Sequence, residues 1–296
     1  MHKSGFVNIV GRPNVGKSTL MNIMVGEKMS IITNKPQTTR HRIIGIVSNP
    51  DSQIVFSDTP GIISDPAYKM QEAMNRFVAS TFEDADVMLF VTDTEEKYKA
   101  DDPIIKRLQN VKIPLFLLIN KTDLSTPDKI IQLIQWWNKL IAFKETIPIS
   151  ALNQKNVDTV LKLIVDNLPE GPVYYPKDQL TDRNERFFIS EIIREKILMF
   201  YHQEIPYSCE VIVDSFKNTV TKSNEPIVRI ATTIFVARES QKNILIGKGG
   251  AAIKRLGASA RRDMEDWLES KVFLEMHVKV KSNWRDDDRM LKHFGY

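Results

Sequence analysis

The residues with the clearest chemical potential lie near the N-terminus, where Gly11 to Ser18 read Gly-Arg-Pro-Asn-Val-Gly-Lys-Ser. This spacing matches Gly-x-x-x-x-Gly-Lys-Ser/Thr, a loop whose backbone N–H groups surround a polyphosphate. An apolar run, Phe6 to Val10, precedes the loop, and a helix-compatible stretch, Ser18 to Val25, follows it. In that context Lys17 is predicted to reach the outer phosphates and the Ser18 hydroxyl to ligate Mg²⁺. An ordinary strand-to-helix turn is the alternative.

A second set of polar residues, Asp58-Thr59-Pro60-Gly61, directly follows another apolar run. An aspartate at that place can hold Mg²⁺ through a water, and the Gly61 N–H can contact a γ-phosphate. Taken alone, this set is explained equally well by a turn. It therefore supports a phosphate site only in combination with the others.

Two more sets suit a guanine base. The run Leu115–Ile119 leads into Asn120-Lys121-Thr122-Asp123, where the Asp123 carboxylate can accept N1–H and the exocyclic amine of guanine while Lys121 covers the base and sugar. The run Ile147–Ile149 leads into Ser150-Ala151-Leu152, whose backbone can contact the guanine carbonyl. Ligands of parallel α/β sheets lie at the carboxyl ends of the strands. The four sets together predict one guanine-nucleotide site.

Apolar runs that alternate with helical patterns predict the elements that must position these residues. The predicted strands are Phe6–Val10, Ile43–Val47, Gln53–Phe56, Val87–Val91, Leu115–Ile119 and Ile147–Ile149. The predicted helices are Ser18–Val25, Tyr68–Ser80, Pro103–Gln109, Asp128–Leu140 and Val157–Asn167. The second and third runs, joined by Asn49-Pro50-Asp51, look like a hairpin. We expect an α/β domain with a mainly parallel sheet flanked by helices.

With 296 residues the chain is long enough for two domains, which we place at residues 1–170 and 183–296. A linker is predicted over residues 171–182, because Pro169-Glu170-Gly171-Pro172 ends the last helix. Cys209 is the only cysteine, so an intrachain disulfide is excluded and a reducing compartment fits. With neither a secretory leader nor an apolar run of membrane-spanning length, the sequence predicts a cytoplasmic protein.

The excess positive charge is concentrated in the C-terminal part. Residues 183–296 contain 20 Lys and Arg against 16 Asp and Glu, whereas residues 1–182 contain 21 of each. Between residues 241 and 262 there are six basic residues and no acidic one. Such a run is usually a solvated surface, and a nucleic-acid contact is the functional alternative.

Within that acid-free stretch lies the loop Gly247-Lys248-Gly249-Gly250. Its Gly-x-x-Gly pattern is typical of K-homology (KH) modules, in which a sugar–phosphate backbone packs directly on the glycines. Lys248 would add a phosphate contact. The next helix has an apolar face of Ile253, Leu256, Ala260, Met264 and Trp267, and on its opposite arc lie Lys254, Arg255, Arg261 and Arg262. A glycine-rich turn with solvated cations is the alternative.

The segments around this loop favour a smaller α+β domain of the KH type. A helix is predicted from a cap at Asp182, with Ile189, Ile193, Ile197 and Phe200 on one stripe. Strands are predicted over 210–216, 228–236 and 272–281. In the last strand Val272, Leu274, Met276, Val278 and Val280 should face a core, whereas Glu275, His277, Lys279 and Lys281 should face water. We therefore expect RNA binding in this part of the chain.

The nucleotide sets, taken with Gln37-Thr38-Thr39-Arg40-His41, resemble the five motifs of translation-factor-type GTPases. The resemblance implies that Thr39 meets Mg²⁺ and the γ-phosphate, with Thr38 as the alternative. Ile62 stands where Ras-like enzymes have a glutamine that orients water, so hydrolysis should be slow, about 10⁻⁴ to 10⁻² per second. In several GTPases with a hydrophobic residue there, a P-loop asparagine holds K⁺. Asn14 has that position, and a hydrogen bond within the loop is the equal alternative.

A GTPase domain followed by an α-β-β-α-α-β KH module is similar to the Era family of bacterial ribosome-assembly GTPases. The similarity spans nearly the whole chain and includes Ser190 to Lys196 and the ending Trp284 to Tyr296. It implies a monomeric factor that binds GTP or GDP with Mg²⁺ and contacts ribosomal RNA near the 3′ end of the small-subunit RNA. It also implies a role in small ribosomal subunit assembly, and peripheral association with the cytoplasmic face of the cell membrane.

Two other functions are compatible with the motifs: an RNA-modifying enzyme driven by its GTPase domain, and a membrane-linked signalling GTPase whose basic stretch attracts anionic lipid. The candidate GTP-binding residues are Gly11, Arg12, Pro13, Asn14, Val15, Gly16, Lys17, Ser18, Thr19, Asp58, Thr59, Pro60, Gly61, Asn120, Lys121, Asp123, Ser150, Ala151 and Leu152. The candidate catalytic residues are Lys17, Thr39, Gly61 and Asn14, and the candidate Mg²⁺ ligands are Ser18, Thr39 and Asp58. The candidate RNA-binding residues are Gly247, Lys248, Gly249, Gly250, Lys254, Arg255, Arg261 and Arg262.

Overall fold

The structure, a computed structural model that describes residues 2–296, divides into two compact units. The first contains the chain up to Asp65 and Met74–Asp182, and the second contains Pro66–Ala73 and Arg183–Tyr296. A division into compact units does not test whether either part folds on its own, so the predicted domain boundaries stay a prediction. Among the described residues no helix is both long and apolar enough to cross a membrane.

The first unit is built on a six-stranded sheet in the order β2-β3-β1-β4-β5-β6. The strands are β1 Lys3–Val10, β2 Ile43–Ser48, β3 Ser52–Asp58, β4 Val87–Asp93, β5 Leu115–Asn120 and β6 Glu145–Pro148. The helices along this part of the chain are α1 Lys17–Val25, α2 Lys69–Ser80, α3 Pro103–Gln109, α4 Pro127–Leu140 and α5 Val157–Asn167. Only β2 runs antiparallel, as the hairpin partner of β3. The predicted mainly parallel α/β fold is confirmed.

Burial explains why these runs form the centre of a sheet. Every residue of β3, β4 and β5 is buried, which fits the continuous apolar runs of strands covered on both faces. One cluster between the sheet and its helices centres on Trp137, whose ring meets Phe90 and Tyr98 edge-on. This packing fixes the carboxyl ends of the strands, where the predicted site residues begin.

The predicted linker, residues 171–182, lies against the sheet of the first unit. The Gln53 side-chain carbonyl accepts hydrogen bonds from the backbone N–H groups of Tyr174 and Tyr175, at 2.8 and 3.0 Å. The Ile46 N–H donates to the carbonyl of Leu180 at 2.8 Å. These hydrogen bonds satisfy backbone N–H and C=O groups of a segment whose sequence has no helical or strand periodicity.

The second unit has a three-stranded sheet in the order β7-β8-β9. Its elements are α6 Glu185–Phe200, β7 Glu210–Val220, β8 Pro226–Val236, α7 Glu239–Ile246, α8 Ala251–Leu268, β9 Lys271–Val280 and α9 Asp288–Phe294. β8 pairs antiparallel with β7 and parallel with β9. Apolar residues of α6, α7, α8 and the sheet form one buried core. The predicted α-β-β-α-α-β order is confirmed.

The strands predicted over 210–216, 228–236 and 272–281 have somewhat different ends in the structure, and two further details of this unit differ from the predictions. Helix α6 begins at Glu185, not near Asp182, because the Asn184 side chain accepts the Phe187 N–H and caps the helix. Trp267 was expected on the apolar face of α8 but is 41% exposed, and its ring packs on Phe188. The predicted alternation of β9 is confirmed, with the apolar positions at least partly buried and the charged positions exposed.

Candidate nucleotide and nucleic-acid sites

We call Gly11–Ser18, which connects β1 to α1, the phosphate loop. Its backbone has two positions that only glycine can supply. Gly11 and Gly16 have φ values of 156° and 97°. A Cβ on Gly11 would collide with the carbonyl oxygen of Val91, and one on Gly16 with the side-chain amide of Asn120. The loop therefore lies directly against β4 and β5, and its shape depends on those close approaches.

Lys17 is buried at the start of α1. Its Nζ donates to the carbonyl oxygens of Gly11 at 3.0 Å and Arg12 at 2.8 Å, within the loop that would receive a phosphate. Burial lowers the pKa of Lys17 to about 8, although the nearby Asp58 carboxylate opposes that shift. The cation thus lacks the compensating negative charge that bound phosphates would supply.

Four oxygen-bearing side chains meet at the other side of the loop. Asp58 Oδ2 accepts from Ser18 Oγ at 2.6 Å and from Ser30 Oγ at 2.9 Å, and Ser18 Oγ lies 2.9 Å from Thr39 Oγ1. Burial raises the pKa of Asp58, against the effect of Lys17. The second oxygen, Asp58 Oδ1, is buried and has no hydrogen-bond partner. The Asp58 carboxylate, with its orphaned oxygen, and the hydroxyls of Ser18 and Thr39 fit Mg²⁺, which prefers oxygen ligands.

The structure distinguishes the two candidate switch threonines. Thr39 Oγ1 points to Ser18 and lies 3.4 Å from Asp58 Oδ2. Thr38 Oγ1 instead donates to the carbonyl of Lys35 at 2.6 Å and lies 2.6 Å from Thr33 Oγ1. Thr39 is therefore the residue that stands with the predicted metal ligands.

Gly61 lies against the phosphate loop. A Cβ on Gly61 would come within 2.7 Å of the Pro13 nitrogen, so a larger residue would push the two segments apart. The next residue, Ile62, packs on the apolar cluster around Trp137. In this segment the backbone N–H of Gly61 is thus the hydrogen-bond donor that lies next to the phosphate loop.

Asn120 joins the phosphate loop to the base-binding segment. Its Nδ2 donates to the carbonyl of Val15 at 2.8 Å, and its Oδ1 accepts from the backbone N–H of Ala151 at 2.9 Å. Asp123 and Leu152 are exposed to a cavity of about 550 Å³. This cavity is also lined by the phosphate loop and by Thr39.

Most of the predicted GTP-binding residues line this one cavity. They are Pro13, Asn14, Gly16, Lys17, Ser18, Thr19, Thr59, Gly61, Asn120, Lys121, Asp123, Ala151 and Leu152. Gly11, Arg12, Val15, Asp58, Pro60 and Ser150 do not line it. Arg12 turns its guanidinium to Glu96 at 2.8 Å and over the Tyr98 ring at 4.2 Å, so only its backbone faces Lys17.

The segment between α1 and β2 supplies lining residues that the motifs did not single out. They are Ile31, Ile32, Thr33 and Asn34, and they precede Gln37 of the predicted Gln37–His41 motif, which also lines the cavity. Asn14 Nδ2 donates to the carbonyl of Asn34 at 3.1 Å, which ties the phosphate loop to this segment. Asn14 itself has φ of 65° and is exposed. Its side chain is therefore engaged in a protein hydrogen bond beside the phosphate loop.

Asp93, at the end of β4, is a further residue that the motifs missed. Its Oδ2 accepts from Lys121 Nζ at 2.6 Å, and its Oδ1 accepts from the backbone N–H groups of Glu95 and Glu96. Burial alone would raise the pKa of Asp93, but the Lys121 hydrogen bond and those two N–H groups hold it lower. The available sequence signal was an aspartate at the end of one strand and a lysine directly after the next strand, whereas their pairing depends on the fold.

In the second unit the Gly247–Gly250 loop connects α7 to α8. Gly247, Gly249 and Gly250 all have positive φ, of 74°, 58° and 78°. A Cβ on Gly249 or Gly250 would meet no atom within 4 Å, so the outer side of the loop is open. Lys248 is exposed at the tip. An open glycine backbone beside a cation matches what a nucleic-acid backbone needs.

The predicted basic arc of α8 lies on the surface. Lys254, Arg255, Arg261 and Arg262 are all exposed, whereas Leu256, Ala260 and Met264 are buried. Arg255 lies with its guanidinium 4.9 Å from the centre of the Phe200 ring, which holds it beside α6. These four cations continue from the loop along one helix.

Two family profiles match the chain. One described as "50S ribosome-binding GTPase" matches residues 6–121, and one for a KH domain matches residues 204–285. The chain is 46% identical over 298 residues to "GTPase ERA1, chloroplastic" of Zea mays, and 45% identical to "GTPase ERA-like, chloroplastic" of Oryza sativa subsp. japonica. These alignments cover all of this chain and 71% and 70% of the relatives.

Two solved structures resemble the whole chain. Era in complex with MgGDPNP and nucleotides 1506–1542 of 16S ribosomal RNA has a TM-score of 0.93 and 38% identity, covering 100% of this chain and 99% of that one. A variant of Aquifex aeolicus Era bound to GDP and AlF₄⁻ has a TM-score of 0.91 and 38% identity, covering 99% of each chain. The likeness therefore includes both units.

We predict that nucleotide binding takes up a proton near pH 8.5. The pKa of buried Lys17 is lowered to about 8, so at about pH 8.5 most of the free protein has a neutral amine there. Bound phosphates would raise that pKa, so the complex keeps Lys17 charged. At about pH 7 Lys17 is charged in both states and uptake should nearly vanish. Calorimetric titrations with MgGDP in buffers of different ionisation enthalpy measure this, and equal uptake at both pH values would contradict it.

We also predict that Asp93 acts on the nucleotide through Lys121. Asp93→Asn removes a charge-assisted hydrogen bond, which costs about 1.5 kcal/mol and weakens GTP binding about tenfold. In a Lys121→Met background the same change should have no further effect, as a double-mutant cycle by fluorescent-nucleotide titration measures. Asp86→Asn is the matched control, because Asp86 accepts the Phe6 N–H elsewhere on the sheet. Additive effects of the two changes would refute the coupling.

Proposed function

This chain belongs to the Era family of GTPases, and on that basis we propose that it is a GTP-hydrolysing switch that binds ribosomal RNA and assists small ribosomal subunit assembly. One observation carries the nucleotide part of the proposal. Residues suited to phosphates, to a divalent cation and to a guanine base come from separate segments and adjoin one cavity. The proposed cofactors are GTP or GDP and Mg²⁺, as in the solved complexes of Era.

Each predicted catalytic residue has a physical role in this proposal. Lys17 holds a proton at Nζ against two loop carbonyls and would stabilise negative charge on the outer phosphates. The Gly61 N–H would orient the terminal phosphate. Ser18, Thr39 and Asp58 would hold Mg²⁺, which supplies Lewis-acid charge stabilisation when bound. Ile62 offers no hydrogen bond to a water, so slow intrinsic hydrolysis stays our prediction.

The proposed role of Asn14 as a K⁺ ligand stays a prediction. Its Nδ2 donates to Asn34, which leaves the side-chain carbonyl as the atom for a cation. The alternative from the sequence was a hydrogen bond within the loop, but the observed bond of Nδ2 goes to Asn34, outside the loop. The structural role that remains for Asn14 is to join the phosphate loop to the segment before β2.

For RNA, we propose that the Gly247–Gly250 loop clamps the backbone and that the arc of α8 binds phosphates. The open side of the loop and the four exposed cations support this. The proposed ligand is the region near the 3′ end of the small-subunit RNA, because the solved Era complex contains nucleotides 1506–1542 of 16S ribosomal RNA. Monomeric state and peripheral membrane association stay predictions of the family resemblance, and a cytoplasmic location stays a prediction of the sequence.

The alternative function, that of an RNA-modifying enzyme, requires a reactive centre in the second unit. Cys209 is buried there, and its Sγ donates to the carbonyl of Ile205 at 3.0 Å. Within the part of the chain that the structure describes, no cluster of His, Cys, Asp or Glu could hold a metal ion. We therefore favour a switch that binds RNA.

Guanine selectivity should depend on Asp123. Asp123→Asn offers a donor where xanthine has an acceptor, so affinity should move from GTP towards xanthosine triphosphate. The lost charge-assisted pair costs GTP binding about 1.5–3 kcal/mol, or ten- to more than a hundredfold. Asp128→Asn, at an exposed position of α4, is the control. The assignment is wrong if ATP competes equally with GTP for the unmutated protein in nucleotide titrations.

RNA binding should require the Gly247–Gly250 loop. Changing Lys248 and Gly249 to Asp places two negative charges against phosphate, so affinity for a 16S RNA fragment should fall at least about tenfold and depend less on salt. Intrinsic GTP hydrolysis should not change. Lys129→Asp with Gln132→Asp makes the same change in net charge at exposed positions of α4. Filter-binding titrations compare the two proteins, and equal affinities would contradict the assignment.

A further inference from the structure

The sheet of the second unit has one face that helices α6, α7 and α8 do not cover. Helices α6, α7 and α8 pack on the inner face, where residues such as Val228, Ile230 and Val272 are buried. On the outer face, at the end where β8 and β9 finish, the ring of Phe235 packs on Phe294 of α9, with centres 5.4 Å apart. The other end of the outer face is exposed.

At that exposed end an aromatic ring stands among cations. Strand register places Lys217 of β7, Arg229 of β8 and Phe273 of β9 side by side. The Arg229 guanidinium lies 5.2 Å from the centre of the Phe273 ring, and Phe273 is 50% exposed. Lys271, also exposed, is two residues before Phe273 on the same face. We call Lys217, Arg229, Lys271 and Phe273 the platform.

The charges around the platform leave it positive. None of its three cations forms an ion pair in the described part of the chain. The acidic groups of the same sheet face have other partners. Glu275 lies 3.1 Å from His277, and Asp214 accepts the Thr233 hydroxyl at 2.8 Å.

We propose that the platform is a second RNA contact, in which an unpaired base stacks on Phe273 while Lys217 and Lys271 bind the flanking phosphates. Every base has a flat face for an aromatic ring, and single-stranded RNA is commonly held by such stacking beside cations. A protein partner fits less well, because lysine, which supplies two of the four platform residues, is depleted at protein interfaces. This inference rests on the RNA binding proposed above.

The size of the proposed ligand gives the second contact a purpose. A Gly-x-x-Gly loop clamps about four nucleotides. The RNA in the solved Era complex, nucleotides 1506–1542, is several times longer. A contact outside the loop should therefore matter for that fragment and be dispensable for a short one.

The test uses the full chain with two probes: the 1506–1542 fragment, and an oligonucleotide of about ten nucleotides from its 3′ end. Phe273→Leu keeps an apolar side chain but removes the stacking surface, so affinity for the long probe should fall about tenfold. Affinity for the short probe should stay unchanged. Phe273→Trp should restore tight binding of the long probe, and thermal unfolding checks that both variants fold.

The cations have their own readout. Lys217→Gln with Lys271→Gln should lower the salt dependence of long-probe binding by about 1.4 in the slope of log K against log salt, since single strands lose about 0.7 for each phosphate contact.

Unchanged long-probe affinity for Phe273→Leu, or equal losses for Phe273→Leu and Phe273→Trp, would contradict the proposed RNA contact at the platform. If the change of Lys248 and Gly249 to Asp still abolishes binding in that case, the proposed function stands. If neither set of changes affects RNA binding, both proposed RNA-binding surfaces of the second unit are wrong.

Discussion

The nucleotide site depends on the side-chain amide of Asn120. One end of that amide donates to the Val15 carbonyl in the phosphate loop, and the other accepts the Ala151 N–H beside the base. Gly16 is needed because any Cβ would collide with the same amide. Both amide bonds are buried, so losing them would leave unsatisfied groups in addition to separating the loops. The phosphate and base halves of the cavity are thus held at one spacing by a single residue.

Around that fixed spacing, the charged groups of the site are incompletely compensated in the protein alone. Burial lowers the pKa of Lys17 to about 8 and raises the pKa of Asp58, so both charges are disfavoured by their surroundings. Asp58 also keeps one buried oxygen without a partner. Buried charged groups with shifted pKa values are common at functional sites, where a bound ligand supplies the compensating charges. Magnesium and phosphates would supply the missing charges, which links nucleotide affinity to the order of the site.

The two units use backbone and cations in different ways. The phosphate loop of the first unit is surrounded by protein on several sides. Its glycines are required because a Cβ at those positions would collide with Val91 or Asn120. The Gly247–Gly250 loop is open on its outer side, and Gly249 and Gly250 would meet nothing with an added Cβ. Glycine there serves a positive φ and the approach of a ligand. The first loop suits a small enclosed anion, and the second suits an extended polymer.

The sequence by itself determined the elements and the chemistry that is local in the chain. The loops were predicted from the residue spacing within Gly11–Ser18, Asn120–Asp123 and Gly247–Gly250. The parallel sheet and β9 were predicted from hydrophobic periodicity. Both signals depend on residues that are close together in the chain. Only the tertiary structure placed Thr39 rather than Thr38 beside Asp58, since one residue of register decides which hydroxyl points inward. Long-range contact likewise decided the pairing of Asp93 with Lys121 and the meeting of Arg229 with Phe273 on neighbouring strands. Such pairs join residues far apart in the chain, and their geometry depends on strand order and register, which no local pattern contains.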